Sequence, residues 1–353
     1  DHFAGFEIGE KDGGMLGNAA GHTVHGSTGS GHSRSVQLDA SASARRYECL
    51  RFRHTFEQMG EDLGFQLSAL VSAYFPHYLA KSGYYMMIGA ETAEMLPNDQ
   101  IFYSFVRGAA KQYATLTYGM ASVWNHYAGK QCHTASACTE TGSSLSLLRR
   151  LMVTEILYGS SWFAFECCMY VTPPANATDH ELVLTPLGLI SRSGKELVDD
   201  LPVLGSVLTT VGVVLDFFTG FAPPRTAYAD YTQGYTYWNA GDTWRAWGPL
   251  PADSGDYFTT AVLNVTYPGW VNSQYFQDER GFLSPTPFGD IVDVLLSDAP
   301  TALFGQYHML VVTTTIRTMK SELRYKLEQY VRGGGAIVVT AEGIESMGGL
   351  FGT

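Results

Sequence analysis

The chain has 353 residues, with 22 basic and 34 acidic side chains and a formal net charge of −12. The apolar fraction of 45% excludes disorder for most of the chain, and the length suits two domains or one large barrel with an appendage. The acidic balance excludes a typical nucleic-acid binder, which needs a basic face. No segment has the composition of a membrane span, because the longest apolar stretch, 203–221, is interrupted by polar residues.

Strand-like and helical patterns alternate through the first 200 residues. Apolar runs predict strands at 3–9, 65–75, 84–91, 116–124 and 161–170. Helical periodicity predicts helices at 45–64, 101–114, 145–159 and 193–204, and a Gly/Ser/His-rich loop occupies 11–43. This repeated order predicts a parallel sheet with the spacing of a (β/α)8 barrel. Five strands cannot close an eight-stranded barrel, so we expect three further units before Asp1.

The pattern changes near residue 207. Apolar runs within 211–224, 287–300, 307–315 and 336–343 predict strands, and 256–270 and 319–335 contain predicted helices. The Gly-rich end of the last helix passes directly into a buried strand, with glycine as the C-cap. We therefore predict a barrel-type domain at 1–204 and a second, flavodoxin-like α/β domain at 207–353, which we expect to be truncated.

Cysteines and glycosylation sequons favour an extracellular location. The chain has five cysteines, and Cys132 and Cys138 could close a small disulfide loop in a polar stretch. Sequons of the N-x-[ST] type occur at Asn176 and Asn264. Low charge (16%) and abundant aromatics (13%) suit sugar-binding faces, protein interfaces or glycan-covered surfaces. We predict a secreted glycoprotein, with no metal or cofactor.

Carboxylates at strand ends are the candidate catalytic groups, because barrel active sites lie at the carboxyl ends of the strands. Glu7 and Glu10 lie at the end of the first predicted strand, Glu91 ends the third, and Glu166 lies near the end of the fifth. Two carboxylates across a cleft are what glycoside cleavage requires, one to protonate the leaving oxygen and one to attack or to activate water. The alternative is that these glutamates are salt-bridged or exposed.

Trp124, Asn125 and His126 follow the fourth predicted strand and would line the same face. An indole ring can stack against the C–H face of a pyranose, so Trp124 is a candidate sugar platform. The alternative is a tryptophan packed in the core. We assign Asn125, His126 and Glu7 to substrate binding or support.

Several stretches together resemble a known family. FAGFEIGE (3–10) resembles the fourth barrel strand of clan A glycoside hydrolases, which carries their acid/base glutamate. The stretches 160–170 and 185–201 resemble the last strand and closing helix of barrel β-galactosidases of the family 42 type, and 211–343 resembles the glutamine-amidotransferase-like trimerisation domain that follows in those enzymes. The resemblance implies a retaining glycosidase in which Glu10 is the acid/base, acting on a carbohydrate substrate and able to form a homo-oligomer.

Two features depart from that pattern. The family nucleophile lies on the seventh barrel strand, which corresponds here to 116–124, and this run has no carboxylate. Gly9 also stands where the family has asparagine. Either the strand count is off by one, or the site is rearranged with Glu91 or Glu166 as nucleophile, or activity is lost. The second hypothesis is therefore a non-catalytic, extracellular structural or sugar-binding glycoprotein in a larger assembly.

Overall fold

The chain folds as a mixed α/β protein with two parallel sheets. The computed structural model describes residues 6–9, 57–58, 60–64, 67–71, 76–92, 99–123, 143–166, 170–172, 182–201, 203–218, 254–268, 283, 285–314 and 319–341.

The first sheet contains five strands in sequence order, and every neighbouring pair is parallel. Its strands are β1 (Phe6–Gly9), β2 (Leu67–Val71), β3 (Tyr85–Thr92), β4 (Leu116–Ala121) and β5 (Phe163–Phe165). Four parallel strands form a curled half-barrel. The five predicted strands and their parallel arrangement are confirmed.

Four helices whose bounds lie within the described residues accompany the first sheet. They are α1 (Pro76–Ser82), α2 (Asp99–Tyr113), α3 (Leu145–Leu157) and α4 (Pro186–Asp200). We did not predict α1, which is a short helix that begins at a proline, a residue whose fixed φ suits the first turn. Helix α4 begins seven residues before the predicted start, because Thr185 caps it and Pro186 opens its first turn. A short antiparallel hairpin, β6 (Val171–Thr172) and β7 (Val183–Leu184), precedes α4.

The second sheet is also fully parallel, and its order is not sequential. Its strands are β8 (Val211–Leu215), β9 (Val292–Leu296), β10 (Met309–Val312) and β11 (Ala336–Val339), arranged as β9-β8-β10-β11. Its helices are α5 (Ser254–Thr266), α6 (Thr301–Phe304) and α7 (Ser321–Arg332). The strands that follow β8 in the chain therefore lie on both sides of it, with β9 on one side and β10 on the other. β9 is an edge strand of the described sheet.

The two sheets share a hydrophobic core. One cluster of buried side chains contains Ile88 on β3, Phe105 on α2 and Val294 on β9. Helix α2 is buried along most of its length, because one side covers the first sheet and the other side meets β9. A second cluster, on the far face of the second sheet, packs Leu310 against Leu323 of α7.

Candidate functional site

The candidate site lies on the face of the first sheet that the helices do not cover. We call this the concave face. Ile88 and Ala90 pack into the core beneath the helices, so the alternating residues Met87, Gly89 and Glu91 belong to the opposite face. Glu91 is deeply buried, with 3% of its surface exposed. It has polar interactions of its own. The strand pairing sets Glu91 beside Met120 of β4.

An aromatic pair lies on the same face. The Tyr118 and Trp162 rings stack with centroids 4.5 Å apart and planes 17° from parallel. A Cβ at Gly89 would lie 2.8 Å from the Tyr118 ring, so glycine is what lets this ring lie flat across β3. Tyr118 and Met87 are buried, while Trp162 is half-buried. We did not single out Trp162, although its alternation with Glu166 could have placed both on one face.

Glu166 is the second carboxylate that the register brings toward this face. It follows β5, and its backbone N–H donates to the carbonyl of Ala121 at 3.0 Å. Glu91, Met120 and Ala164 are aligned across three strands, so Glu166 lies two residues beyond the level of Glu91. Two strand spacings of about 4.8 Å and two residue rises of about 3.3 Å separate the two backbones by roughly 12 Å. Glu166 is half-buried and, like Glu91, has polar partners.

Two of the remaining predicted site residues, Glu7 and Asn264, lie within the described part of the chain. Glu7 lies on β1 in register with Ser68. Asn264 lies half-buried on α5, and the hydroxyl of Thr266 in the same sequon donates to the Val262 carbonyl at 3.0 Å. Outside the described residues lie Glu10, Trp124, Asn125, His126, Asn176, Cys132 and Cys138. Their assignments stay predictions.

Away from the concave face, a buried ionic cluster joins the two sheets. Asp293 is fully buried on β9 and accepts from Arg107 Nε at 3.1 Å and from Lys111 Nζ at 2.6 Å. The hydroxyls of Thr209 and Tyr307 donate to the same carboxylate at 2.6 and 3.0 Å. Burial alone would raise the pKa of Asp293, but Arg107 and Lys111 outweigh it and hold that pKa below its usual value. An acidic residue inside the apolar run VDVLL was the sequence signal that we overlooked.

Glu155 is a further buried carboxylate, on the helix side of the first sheet. Its carboxylate accepts from the Ser160 hydroxyl and lies against the backbone of Gly119, where a Cβ would overlap it. Burial raises the pKa of Glu155 to about 7, although Ser160 and Arg107 act in the opposite direction. Glu155 faces away from the concave face, so its raised pKa reflects packing between α3 and β4.

Within the described ranges, no cluster of three or more His, Cys, Asp or Glu side chains could hold a metal ion. None of the helices described is long and apolar enough to cross a membrane. No protein-family model matches the chain, and no curated protein matches it either.

Proposed function

We propose that this chain is a secreted glycoside hydrolase whose concave sheet face binds a carbohydrate and cleaves an O-glycosidic bond. The observation that carries the proposal is that Glu91 and Glu166 share one face of a curled parallel sheet, on either side of β4. A glycosidase needs two carboxyl groups on one cleft, one acting as acid and the other as nucleophile or base. The stacked Tyr118–Trp162 pair adds aromatic surface of the kind that sugar rings contact.

The strand orders support the family resemblance. Five parallel strands in sequence order are what the second part of a (β/α)8 barrel would contribute. The order β9-β8-β10-β11 is the 2-1-3-4 order of flavodoxin-like sheets. On this proposal, 1–204 belongs to the barrel and 207–353 to the glutamine-amidotransferase-like domain, which would form the homo-oligomer contact.

The adjacency of β3, β4 and β5 bears on the missing nucleophile. The strands pair directly, so no strand lies between the one that carries Glu91 and the one that precedes Glu166. Strand β4 itself, LTYGMA, has no carboxylate. We take Glu10 as the acid/base from the family resemblance, and we propose a rearranged site in which Glu91 is the nucleophile, with Glu166 as the alternate nucleophile.

The test is hydrolysis of aryl glycosides and of plant and algal polysaccharides by the wild type and by Glu10→Gln, Glu91→Gln and Glu166→Gln. The variants that replace the two catalytic carboxylates should each lose at least 100-fold in kcat/KM, the usual lower range for a general acid or base. Glu155→Gln is the matched control and should retain activity. Glu155 is as deeply buried as Glu91, but it lies on the opposite side of β4. Full activity in all three variants would refute the assignment.

A non-catalytic sugar-binding protein is the second candidate. The deep burial of Glu91 and the absence of a carboxylate on β4 favour it. It predicts saturable glycan binding by a folded protein that hydrolyses no substrate on the panel. Trp162→Ala should then weaken binding, whereas the three glutamine variants should keep it within about threefold, since an uncharged amide retains the shape of the site.

A further inference from the structure

The connections of the second sheet change direction between β8 and β10. The strand that follows β8 in the chain, β9, lies on one side of it, and the next strand, β10, lies on the other side. In parallel sheets of this kind, ligands bind in the crevice outside the carboxyl ends of the two strands where the order reverses. Residues 216–218 follow β8 and residues 313–314 follow β10, so these two short stretches border the crevice.

Thr314 brings a buried hydroxyl group to this crevice. Val312 of β10 belongs to the same hydrophobic cluster as Leu323 of α7, so alternation places Thr314 on the side of the sheet that α7 covers. Thr314 is only 3% exposed, and its Oγ1 has no hydrogen-bond partner in the described part of the chain. The neighbouring Thr313 differs, because its hydroxyl donates to the Val214 carbonyl at 3.2 Å. A buried hydroxyl without a partner is costly, so a ligand atom that bonds to Thr314 would stabilise the folded protein.

The start of α7 lies beside the same crevice. Lys320 directly precedes α7, and its Nζ lies 5.8 Å from the centroid of the Phe218 ring, which follows β8. The Lys320 side chain makes no capping hydrogen bond. The first N–H groups of a helix lack intrahelical acceptors and carry partial positive charge, so they attract anions. Glu322 in the first turn is already paired, because it accepts from Lys326 at 2.8 Å.

Asp216 gives the crevice one acidic side. Val214 of β8 belongs to the cluster that α7 covers, so alternation directs Asp216 to the same face as Thr314. Asp216 is half-buried, and its Oδ1 accepts from the Phe218 N–H at 2.9 Å. A carboxylate repels a phosphate group but accepts hydrogen bonds from hydroxyl groups. It therefore favours a phosphate ester whose organic part carries hydroxyl groups over inorganic phosphate.

We propose that this crevice binds a sugar phosphate. The N–H groups at the start of α7, the Lys320 ammonium and the Thr314 hydroxyl hold the phosphate, which is the group that a helix N-terminus and a lysine bind well. Asp216 accepts from a hydroxyl group of the sugar. The site uses only residues of the second sheet and of α7, so it stands apart from the proposed function.

Thermal unfolding of the full chain with glucose phosphate or ribose phosphate is the first test. A ligand that binds only the folded state raises Tm, and the rise grows with ligand concentration. At least one of the two sugar phosphates should raise the wild-type Tm more than inorganic phosphate does. Glucose and ribose without phosphate should leave Tm unchanged at the same concentrations.

Thr314→Val is the deciding variant, because it keeps the size of the side chain and removes the hydroxyl. Without ligand it should unfold at or above the wild-type Tm, since the lost hydroxyl had no partner. Calorimetry should show that it binds the sugar phosphate about tenfold more weakly. Thr313→Val is the matched control. It should lower Tm, because it removes the bond to the Val214 carbonyl, and it should keep the wild-type affinity.

Two further variants test the charges. Lys320→Gln should weaken the binding of sugar phosphate and inorganic phosphate alike, whereas Lys195→Gln, which changes an exposed lysine of α4, should not. Asp216→Asn should narrow the preference for the sugar phosphate over inorganic phosphate.

A wild-type protein that responds to neither sugar phosphate would overturn the proposal. So would binding that survives both Thr314→Val and Lys320→Gln, or binding of the unphosphorylated sugars with equal affinity. An unchanged preference in Asp216→Asn would overturn the assignment of the sugar to this side of the crevice. If Thr314→Val does not fold, Thr314→Ala is measured instead, and the same outcomes decide.

Discussion

His77 and Glu155 are both fully buried, and burial shifts their pKa values in opposite directions. Burial lowers the pKa of His77 from 6.5 to about 4, because the charged imidazolium loses its hydration. Burial raises the pKa of Glu155 from 4.5 to about 7, because here the charged form that loses its hydration is the carboxylate anion. The folded protein therefore keeps both side chains neutral at mildly acidic pH.

These shifts give the free energy of unfolding two opposite pH dependences. The unfolded chain binds more protons at His77 between pH 4 and 6.5, so this residue makes stability rise with pH. The folded chain binds more protons at Glu155 between pH 4.5 and 7, so that residue makes stability fall with pH. Each contribution is on the order of 3 kcal/mol over its full window, and the two largely cancel where the windows overlap.

Single substitutions should uncover each dependence. His77→Gln keeps a donor for the Val294 carbonyl but does not titrate. Its free energy of unfolding should therefore fall as pH rises from 4.5 to 6.5, the overlap of the two windows. The free energy of unfolding of Glu155→Gln should rise as pH rises over the same range. Urea unfolding at several pH values measures both slopes, and the double variant should be nearly flat. Parallel curves for the two single variants would contradict the assigned pKa shifts.

At the scale of elements, capping residues decide where the helices begin. The Ser144 hydroxyl accepts from the Leu147 N–H at 3.1 Å at the start of α3. Thr185 does the same for Gly188 at the start of α4. Each cap satisfies one of the backbone donors that a helix start leaves without an intrahelical acceptor.

Ser144→Ala should lower the free energy of unfolding by about 1 kcal/mol, because it removes a helix N-cap. The control is Ser193→Ala in α4, whose hydroxyl donates to the Ile190 carbonyl within the helix. There the loss should be near zero, because alanine has the higher helix propensity and the carbonyl keeps its helical partner. Thermal or urea unfolding of both variants makes the comparison, and equal losses would count against the cap.

At the scale of the whole molecule, the two sheets share both a core and a buried charge cluster. Arg107 and Lys111 come from α2, while Asp293 comes from β9. Neither cation can be separated from that carboxylate without leaving a buried charge, which is costly in a protein interior. The two sheets should therefore unfold together.

Asp293→Asn should destabilise the protein by about 3–5 kcal/mol, because Arg107 then lies buried without a charged partner. Hydrogen exchange in increasing denaturant should lose protection in peptides of β3 and of β8 at the same concentration, in the wild type and in the variant. Asp199→Asn is the control, since its ion pair with Lys195 lies on the surface and should not matter measurably. Early loss of protection in one sheet alone would show that the sheets are independent.

The sequence predicted what depends on local patterns. The five strands of the first sheet follow from apolar runs of strand length, and their parallel order follows from the helices between them. Ser143 and Ser144 both precede an apolar helical run and are both typical cap residues, and Ser144 is the one that caps α3. Helix α1 and the early start of α4 were missed because single prolines mark them better than periodicity does.

What only the tertiary structure decided is which distant residues meet. Register and alternation along β5 direct Glu91 and Glu166 to one face, although α2, β4 and α3 separate them in the chain. Packing brought His77, Arg107 and Gln112 to the edge of β9, which lies 184 to 217 residues away in sequence. Composition and periodicity specify that a side chain is buried or capping, because those are properties of a short segment. Its partner is set by how whole elements pack, and no local pattern contains that information.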